Sequence, residues 1–347
     1  MREGIKLLAG LLVAALLLWV VLRGIEPSTM WNSVRKASMG GLFLAALINL
    51  GHNVFRVWRW QALLTPVRPR VPFRSMFVAV ILGYTTTWII PGRLGEVVRP
   101  TLLSAREDLP LGPCIGSVVT DRLLDGAAIV ALFAVGTWLV PLEGQISEHV
   151  SAIRTTSLIL VVFVGVLLFL LIAASAARGS LEGWVEARKG PVRWCGRLIL
   201  SLSEGARALR SPRLVLRITV HSLLAWLVIA LGTWLGVRAA GAQVSLAAVF
   251  VILPMLALGV AVPTPGGAGS YHGAMKLGLM LFGVSEIVSV SAALLMHLMI
   301  IVPTILLGLV LIRTEKLSWR DIISAARKIR GLGASSELVG RPAEEAP

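Results

Sequence analysis

Three short polar segments interrupt long apolar stretches of this sequence. They read PGRLGEVVRP at 91–100, TDRLLDG at 120–126 and PTPGGAGSYHG at 263–273. Arg93 and Arg99 carry the planar guanidinium group whose geometry suits a phosphate, and glycine-rich turns let backbone N–H groups approach an anion. The three segments therefore predict a polar site for a phosphate-bearing group.

The first segment also contains a glycine and a carboxylate, Gly95 and Glu96. Glu96 lies three residues after Arg93 and three before Arg99, so a helical turn would place it within reach of both guanidinium groups. One interpretation is that these four residues bind the substrate. The other is an internal salt-bridge cluster that only fixes a hairpin.

The second segment places two carboxylates, Asp121 and Asp125, one helical turn apart on one face. Arg122 follows the first carboxylate, and Asp121 is a candidate charge partner or proton carrier. Carboxylates at this spacing could transfer protons, but we favour neutralisation of Arg93 or Arg99 across a helix contact. No histidine accompanies the pair, so we expect neither a metal site nor a cofactor.

The third segment combines a glycine-rich turn with ionisable side chains. Its candidate backbone contacts for a substrate are Gly266, Gly267 and Gly269. His272 is a further candidate contact, and Lys276, one helical turn later, is a candidate charge partner or proton carrier, because intramembrane ionisable groups are often functional. His297, in the last apolar stretch, is interpreted as a hydrogen-bonded packing residue. No nucleophile occurs with a base at catalytic spacing, so we expect no enzymatic activity.

The segments that must position these residues are apolar. Of the 347 residues, 56% are hydrophobic and 15% are charged, and the mean hydropathy is +0.83. These values predict an all-α polytopic membrane protein rather than a soluble domain or a β-barrel. The net charge of +15 lies in short loops, which favours anionic lipid headgroups over nucleic acid as its partner. Cys114 and Cys195 stand alone and predict no disulfide framework.

The charged loops predict the orientation of the chain in a bacterial or archaeal cytoplasmic membrane. Basic loops are expected on the cytoplasmic side, at 56–74, 178–217 and after 312; the first includes Arg56 and Arg59. Loops with few basic residues are expected outside, at 141–154 and 236–245. Both termini are therefore expected in the cytoplasm.

This orientation leaves two segments that cannot make a single crossing. The stretch 75–104 begins and ends on the cytoplasmic side, so it is predicted to be a re-entrant hairpin that turns at Pro91 and Gly92, and 246–282 is predicted to be a second one. About six full transmembrane helices remain, or about eight if the hairpins are counted as spans; the six are 5–22, 40–58, 115–140, 156–174, 214–235 and 289–312. The spacing P-G-x-x-G recurs at 91–95 and 265–269, with opposite sides of entry, which predicts an inverted-topology repeat.

The predicted domain organisation is a single transmembrane domain over 1–312. Its halves are about 5–140 and 155–312, and an amphipathic cytoplasmic loop at 178–213 joins them. The remainder, 313–347, is predicted to be a partly disordered cytoplasmic tail.

The three motifs together resemble the lysylphosphatidylglycerol synthase transmembrane (flippase-like) family, over most of the chain. The resemblance implies functional roles for Arg93, Gly95, Glu96 and Arg99 in the first motif, for Arg122 and Asp125 in the second, and for Pro265, Gly266, Gly267 and Gly269 in the third. Many members have a glutamate shortly after the glycines, where this chain has Tyr271 and His272, and many have glutamate at the position of Asp121.

We therefore expect a lipid translocator that moves a phosphate-bearing or aminoacylated headgroup, on a phospholipid or a lipid-linked glycan, through a polar cavity. The first alternative is a non-transporting accessory subunit of a separately encoded glycosyltransferase or lipid-modifying synthase. The second is an intramembrane enzyme acting on a lipid-linked substrate. The sequence leaves open the lipid, the direction and energy source of transport, and the oligomeric state.

Overall fold

The computed structural model describes residues 2–90, 94–140, 150–190, 205–262 and 264–319, and the single positions 192, 193, 196, 200, 203 and 322. Every regular element within these residues is a helix, and no strand occurs among them. This agrees with the predicted all-α class. The predicted turn at Pro91 and Gly92, most of the stretch 191–204 and most of the predicted tail lie outside the described residues.

Twelve α-helices are described, in three groups along the chain. The first group is α1 (Arg2–Leu22), α2 (Pro27–Arg35), α3 (Met39–Leu64), α4 (Phe73–Ile89), α5 (Gly95–Glu107) and α6 (Leu111–Leu139). The second is α7 (Val150–Ala176) and α8 (Arg178–Glu186), followed by a 3-10 turn, Arg207–Arg210. The third is α9 (Pro212–Ala239), α10 (Leu246–Ala261), the 3-10 turn Pro265–Gly267, α11 (Ser270–Met280) and α12 (Glu286–Thr314).

Three of the described helices, α7, α9 and α12, are long and apolar enough to cross a membrane. A fourth crossing results if α1 and α2, which meet at 84°, are taken as one span. Helices α3 and α6 are also long, with 26 and 29 residues, but α3 carries charged side chains in its C-terminal half and α6 carries them in its middle. The fold is therefore that of a multi-pass membrane protein whose central helices contain charge.

Helices α4 and α5 pack against each other as an antiparallel pair. At the start of α5, Gly95 lies so close to α4 that an added Cβ would be 1.8 Å from the carbonyl oxygen of Gly83. At the opposite end, Arg106 donates a hydrogen bond from Nε to Ser75 Oγ at 3.1 Å. Gly95 therefore serves packing between the two arms, since no other residue could stand there without moving them.

Helices α10 and α11 form a second antiparallel pair. An added Cβ at Gly259 would be 2.8 Å from the carbonyl oxygen of Ser270, and one at Gly278 would be 3.0 Å from the Ile252 side chain. The turn between these arms contains three glycines with positive φ, at 59°, 70° and 81°, which are Gly266, Gly267 and Gly269. Residues other than glycine rarely adopt this backbone conformation, so the glycines are needed to form the turn.

Helices α3 and α9 cross the centre of the molecule side by side and antiparallel. Small residues permit this contact: a Cβ at Gly41 would be 2.8 Å from Ala239 Cβ, and one at Gly232 would be 2.6 Å from Asn49. The two helix pairs and the long helices α6 and α12 surround this centre, so eight helices enclose a common space.

Candidate functional site

A cavity of about 450 Å³ lies between these eight helices. One wall is charged and is formed by side chains from α3, α5 and α6, whereas most of the remaining lining is apolar or aromatic. The apolar lining includes Ile129, Ile229, Leu253, Leu256, Met299 and Ile300. A polar wall inside an otherwise apolar helical bundle is the arrangement expected for a site that admits a charged group.

The charged wall is built on Arg59, which bridges two carboxylates. Arg59 Nη2 lies 2.7 Å from Asp121 Oδ1 and 2.8 Å from Asp125 Oδ1. Arg99 Nη1 bonds the other oxygen of Asp121 at 2.8 Å, and Arg56 Nη1 bonds the other oxygen of Asp125 at 2.8 Å. All five side chains are buried, so the acidic pair neutralises arginines from two other helices.

The expectation that Arg56 and Arg59 lie in a cytoplasmic loop was wrong. Helix α3 extends to Leu64 instead of ending near position 58, and both arginines lie within it. The helix continues because Asp121 and Asp125 on α6 compensate its charges, which could not otherwise be buried in an apolar bundle. The favoured interpretation of the acidic pair was neutralisation of Arg93 or Arg99, and for Arg99 it agrees with the contact to Asp121.

Arg122 and Glu96 form the accessible part of the charged wall. Arg122 Nε lies 3.0 Å from Glu96 Oε2, and its Nη1 lies 2.9 Å from Asp125 Oδ2. The side chains of Arg122 and Glu96 are 34% and 38% exposed, and both line the cavity. Glu96 was expected to bridge Arg93 and Arg99, but it points to Arg122 because Asp121 already holds Arg99. Arg93 lies outside the described residues.

Some of the buried guanidinium nitrogens have no hydrogen-bond partner in the described structure: Nε of Arg56, and Nε and Nη2 of Arg99. Arg99 lies over the Trp60 ring at 4.1 Å and Arg56 over the Trp226 ring at 5.6 Å, so aromatic faces replace part of the missing contact. The described network contains four arginines and three carboxylates, Asp121, Asp125 and Glu96. It therefore carries one formal positive charge, which favours an anionic ligand.

The other end of the cavity is closed by aromatic and imidazole side chains. His297 Nδ1 lies 3.2 Å from His272 Nε2, and His297 Nε2 lies 2.9 Å from the carbonyl oxygen of Gly266. Tyr271 stacks on His297 with ring centres 4.7 Å apart, and Trp88 meets His297 edge-on at 6.1 Å. His297 is buried and hydrogen-bonded, in keeping with its interpretation as a hydrogen-bonded packing residue, and the sequence did not indicate that its partner is His272.

Two of the glycines expected to offer their amides to a ligand, Gly267 and Gly269, use them within the turn instead. Gly267 N–H donates to the carbonyl oxygen of Thr264 at 3.1 Å, and Gly269 N–H donates to His272 Nδ1 at 3.1 Å. Lys276 is likewise directed away from the cavity, since its Nζ lies 2.5 Å from Glu286 Oε1 and 3.1 Å from the carbonyl oxygen of Val21. Among the described residues, no group of three or more potential metal ligands occurs.

A separate ion-pair cluster joins the base of the α4–α5 pair to the end of α12. Glu315 accepts hydrogen bonds from Arg106 Nη2 at 2.5 Å and from Arg74 Nε at 2.9 Å. The hydrogen bond from Arg106, followed by that from Arg74, lowers the pKa of Glu315 below its ordinary value. The cluster therefore fixes the end of the hairpin that lies farthest from its tip.

Two signals for the charged wall were present in the sequence but were not combined. Arg56 and Arg59 are three residues apart inside an apolar stretch, and Asp121 and Asp125 are four apart in another. Both spacings place the charges on one helix face, so the two sets could have been paired. The contacts of Trp226, which donates from Nε1 to Asp125 at 3.0 Å, had no comparable signal.

Comparison with known proteins agrees with this architecture. A family model described as lysylphosphatidylglycerol synthase TM region matches residues 7–308. A UPF0104 membrane protein of Methanocaldococcus jannaschii is 28% identical over 103 residues, which are 28% of this chain and 31% of that protein. Glycosyltransferase AglD of Haloferax volcanii is 25% identical over 131 residues, 38% of this chain and 21% of that protein. The chain thus spans less than a third of either relative's length. Because the family match extends from the first apolar helix to near the end of α12, this chain belongs to the lysylphosphatidylglycerol synthase transmembrane-region family.

Proposed function

We propose that this protein is a lipid translocator that moves a phosphate-bearing or aminoacylated headgroup between the leaflets of a cytoplasmic membrane, without a catalytic step of its own. The observation that carries the proposal is the cavity with one charged wall inside an apolar bundle. Family membership supports a role in lipid metabolism.

The physical argument concerns the cost of moving a charged headgroup. Transfer of an ionised group into hydrocarbon is costly unless it is paired or hydrogen-bonded. Arg122 and Glu96 offer such partners at the cavity surface, and the net positive charge of the described network favours a phosphate. About 450 Å³ lies within the range of small-ligand sites, so the headgroup would occupy the cavity while its acyl chains stay in the bilayer.

The helix boundaries support an inverted-topology repeat around this cavity. Helices α3, α4, α5 and α6 begin at 39, 73, 95 and 111, and α9 to α12 begin at 212, 246, 270 and 286, which is 173 to 175 residues later in each case. The arms α4 and α10 have 17 and 16 residues, about 24–26 Å at roughly 1.5 Å per residue, which is shorter than a hydrocarbon core of roughly 30 Å. We propose that both pairs are re-entrant and meet near the bilayer midplane, where such transporters bind substrate, with both termini cytoplasmic.

Filling the cavity without changing any charge tests the proposal. Gly126 on α6 lines the cavity, and a Cβ there would meet no atom within 4 Å. Gly126→Phe is expected to reduce lipid exchange in proteoliposomes to the protein-free rate. Gly112→Phe is the matched control, since Gly112 also lies on α6 with open space around its Cα but does not line the cavity. Wild-type exchange by a folded Gly126→Phe protein would contradict this assignment of the path.

The charge of the wall is tested with Arg122→Gln. Loss of one charge-assisted hydrogen bond of about 1.5–3 kcal/mol in the crossing state would slow exchange about 10- to 150-fold. Leaflet exchange would be followed for phosphatidylglycerol by periodate oxidation, and for phosphatidylethanolamine and lysylphosphatidylglycerol with an impermeant amine reagent. Arg68→Gln is the control, because Arg68 is half exposed and pairs with Glu107 outside the cavity. Equal rates for the two variants would argue against a headgroup contact at Arg122.

A second candidate is a non-transporting accessory subunit of a glycosyltransferase, and the match to glycosyltransferase AglD favours it. This candidate predicts a stable partner enzyme after mild solubilisation and purification. It also predicts that wild type and Gly126→Phe alike exchange lipid only at the protein-free rate, while Gly126→Phe lowers the partner's activity.

A further inference from the structure

His272 and His297 form a hydrogen-bonded pair in which all four ring nitrogens are engaged. Gly269 N–H lies 3.1 Å from His272 Nδ1, His272 Nε2 lies 3.2 Å from His297 Nδ1, and His297 Nε2 lies 2.9 Å from the Gly266 carbonyl oxygen. The chain begins and ends on the same glycine turn. It also joins the tip of the α10–α11 pair to the middle of α12.

The partners at the two ends of this chain fix the protons between them. An amide N–H can only donate, so His272 Nδ1 accepts, and the proton of the neutral ring lies on Nε2. That proton is donated to His297 Nδ1, and the remaining proton of His297 is donated to the Gly266 carbonyl, which can only accept. The arrangement therefore holds two neutral rings, and neither has a free lone pair.

Protonation of this pair requires that the closed arrangement break. A proton can bind only at His272 Nδ1 or at His297 Nδ1. The first displaces the Gly269 amide, and the second displaces the His272 donor. The first event releases the Gly269 side of the glycine turn, and the second breaks the bond that connects the turn to α12 through both rings. The turn lies against the end of α4, since a Cβ on Gly266 would be 3.4 Å from the carbonyl oxygen of Trp88.

We propose that His272 and His297 form a proton-binding site that, when occupied, separates the end of α4 at Trp88 and Ile89 from the glycine turn at 264–269, so that the proton is the coupling ion of the translocator. These two described segments are called the tips below. The claim that the proton is the coupling ion rests on the proposed function. The proton-binding site itself rests on the geometry of the histidine pair. The protonated pair is the open form, and the neutral pair is the closed form.

The groups around the pair favour the assignment of the protonated pair to the open form and the neutral pair to the closed form. No described carboxylate contacts either ring, α10 contains no ionisable residue, and α12 has none other than His297 between Glu286 and Arg313. Near the tips, α4 presents Trp88 and α1 presents Ala14 to Leu18, all uncharged. On α11, Tyr271 stacks on His297 and Lys276 is held by Glu286. Across the cavity lie the charged side chains of its opposite wall, Glu96, Arg122, Asp125 and Arg56, together with His52 of α3, which is hydrogen-bonded to the Asn49 carbonyl of its own helix.

A positive imidazolium has no counter-charge among the described contacts of the closed tips, so it requires water or a headgroup phosphate. Either would enter when the tips separate. Proton affinity is therefore higher in the open form than in the closed form, and by linkage acid favours opening.

The experiment measures the separation of the tips directly and without lipid transport. Spin labels are attached at Ile89→Cys and Val262→Cys, which are exposed positions at the two tips, in a Cys114→Ser, Cys195→Ser background. Electron–electron distances are then measured in phosphatidylcholine nanodiscs between pH 8 and 5. For one linked proton, the ratio of the long-distance to the short-distance population is expected to rise up to tenfold per pH unit through the transition.

The decisive variant is His272→Asn with His297→Gln. The Asn oxygen can accept from Gly269 N–H, and the Gln amide can donate to the Gly266 carbonyl, so the contacts are kept while the proton site is removed. Its distances are expected not to change with pH. His221→Gln, which alters a histidine bonded to its own helix at Arg217, is expected to behave as the wild type.

A pH-independent wild-type distance, or a pH response that survives in the double variant, would overturn the proton site. The coupling is measured in proteoliposomes, where a gradient of one pH unit would shift the leaflet ratio of the transported lipid up to tenfold for one proton per lipid. A pH-dependent distance without any lipid exchange would retain the proton site and refute the translocator instead.

Discussion

Asp121 is the residue whose loss should cost this fold most among the ionised groups of the charged wall. It has no exposed surface, and its two oxygens are bonded by Arg59 at 2.7 Å and by Arg99 at 2.8 Å. Asp121→Asn keeps the shape but removes the charge that neutralises them. Arg59 would retain Asp125, whereas Arg99 would have no carboxylate partner among its described contacts.

The magnitude follows from the burial of the pair. Removal of one partner from a buried ion pair costs about 3–5 kcal/mol, because the other charge stays buried and uncompensated. At about 2 °C per kcal/mol, the lower end of the range for domains of 150–250 residues, the melting temperature should fall by about 6–10 °C. Most of this loss in stability comes from leaving Arg99 buried without a carboxylate partner, and not from the strength of the lost bond.

The assay is thermal unfolding in detergent, followed by a thiol-reactive fluorophore. Cys114 is fully buried and reports unfolding in a Cys195→Ser background. The double variant Asp121→Asn, Arg99→Gln removes both charges and should recover part of the lost stability, with a coupling of about 0.5–3 kcal/mol. Glu182→Gln is the control, because its pair with Arg178 is 31% and 45% exposed and should contribute less than about 1 kcal/mol. An unchanged melting temperature for Asp121→Asn, or an additive double variant, would refute the reasoning.

Three further perturbations test other parts of the fold. Gly95→Ala should prevent the α4–α5 contact and lower the melting temperature strongly, since its Cβ would lie 1.8 Å from a carbonyl oxygen, whereas Gly112→Ala, with nothing within 4 Å, should be neutral or stabilise by about 0.5–1 kcal/mol. Glu315→Gln should lower the melting temperature above about pH 5, and its difference from the wild type should vanish as pH falls through the lowered pKa of Glu315, because a carboxylate with a depressed pKa stabilises only while it is ionised. Lys276→Gln should leave lipid exchange unchanged in the proteoliposome assay, since Lys276 does not line the cavity; slower exchange would reinstate it as a charge partner or proton carrier.

Most of the fold could be predicted because the length of an apolar stretch and the residues of a turn are local features of the sequence. The long helices and both helix pairs follow from continuous apolar stretches and from glycine or proline at the turns. The boundary of α3 was missed because Arg56 and Arg59 look like loop residues to any rule that counts charges along the chain. Their acidic partners lie more than 60 residues away, at Asp121 and Asp125, and no local pattern contains that contact.

The candidate site was predicted in part for the same reason. Arg99, Glu96, Arg122 and Asp125 were identified because charge is rare in apolar sequence, but their partners within the network depend on how α3, α5 and α6 pack. The role of His297 could not be read from its position, since it is defined by His272 on another helix. The sequence therefore identified the residues of the site more reliably than it identified their contacts.

The distribution of charge between the two halves supports separate roles for the two ends of the cavity. At an interval of 174 residues, the five ionised residues that are buried in the first half correspond to uncharged residues in the second, namely Ala230, Thr233, Gly273, Leu295 and Met299. A symmetrical pair of charged walls would place eight arginines and six carboxylates in one bundle, which would double the uncompensated positive charge in the absence of a ligand. The second half instead contributes two neutral histidines, whose charge depends on the state of the tip. One half can therefore hold an anionic headgroup permanently, while the other adds a positive charge only when the tips separate and the headgroup phosphate can compensate it.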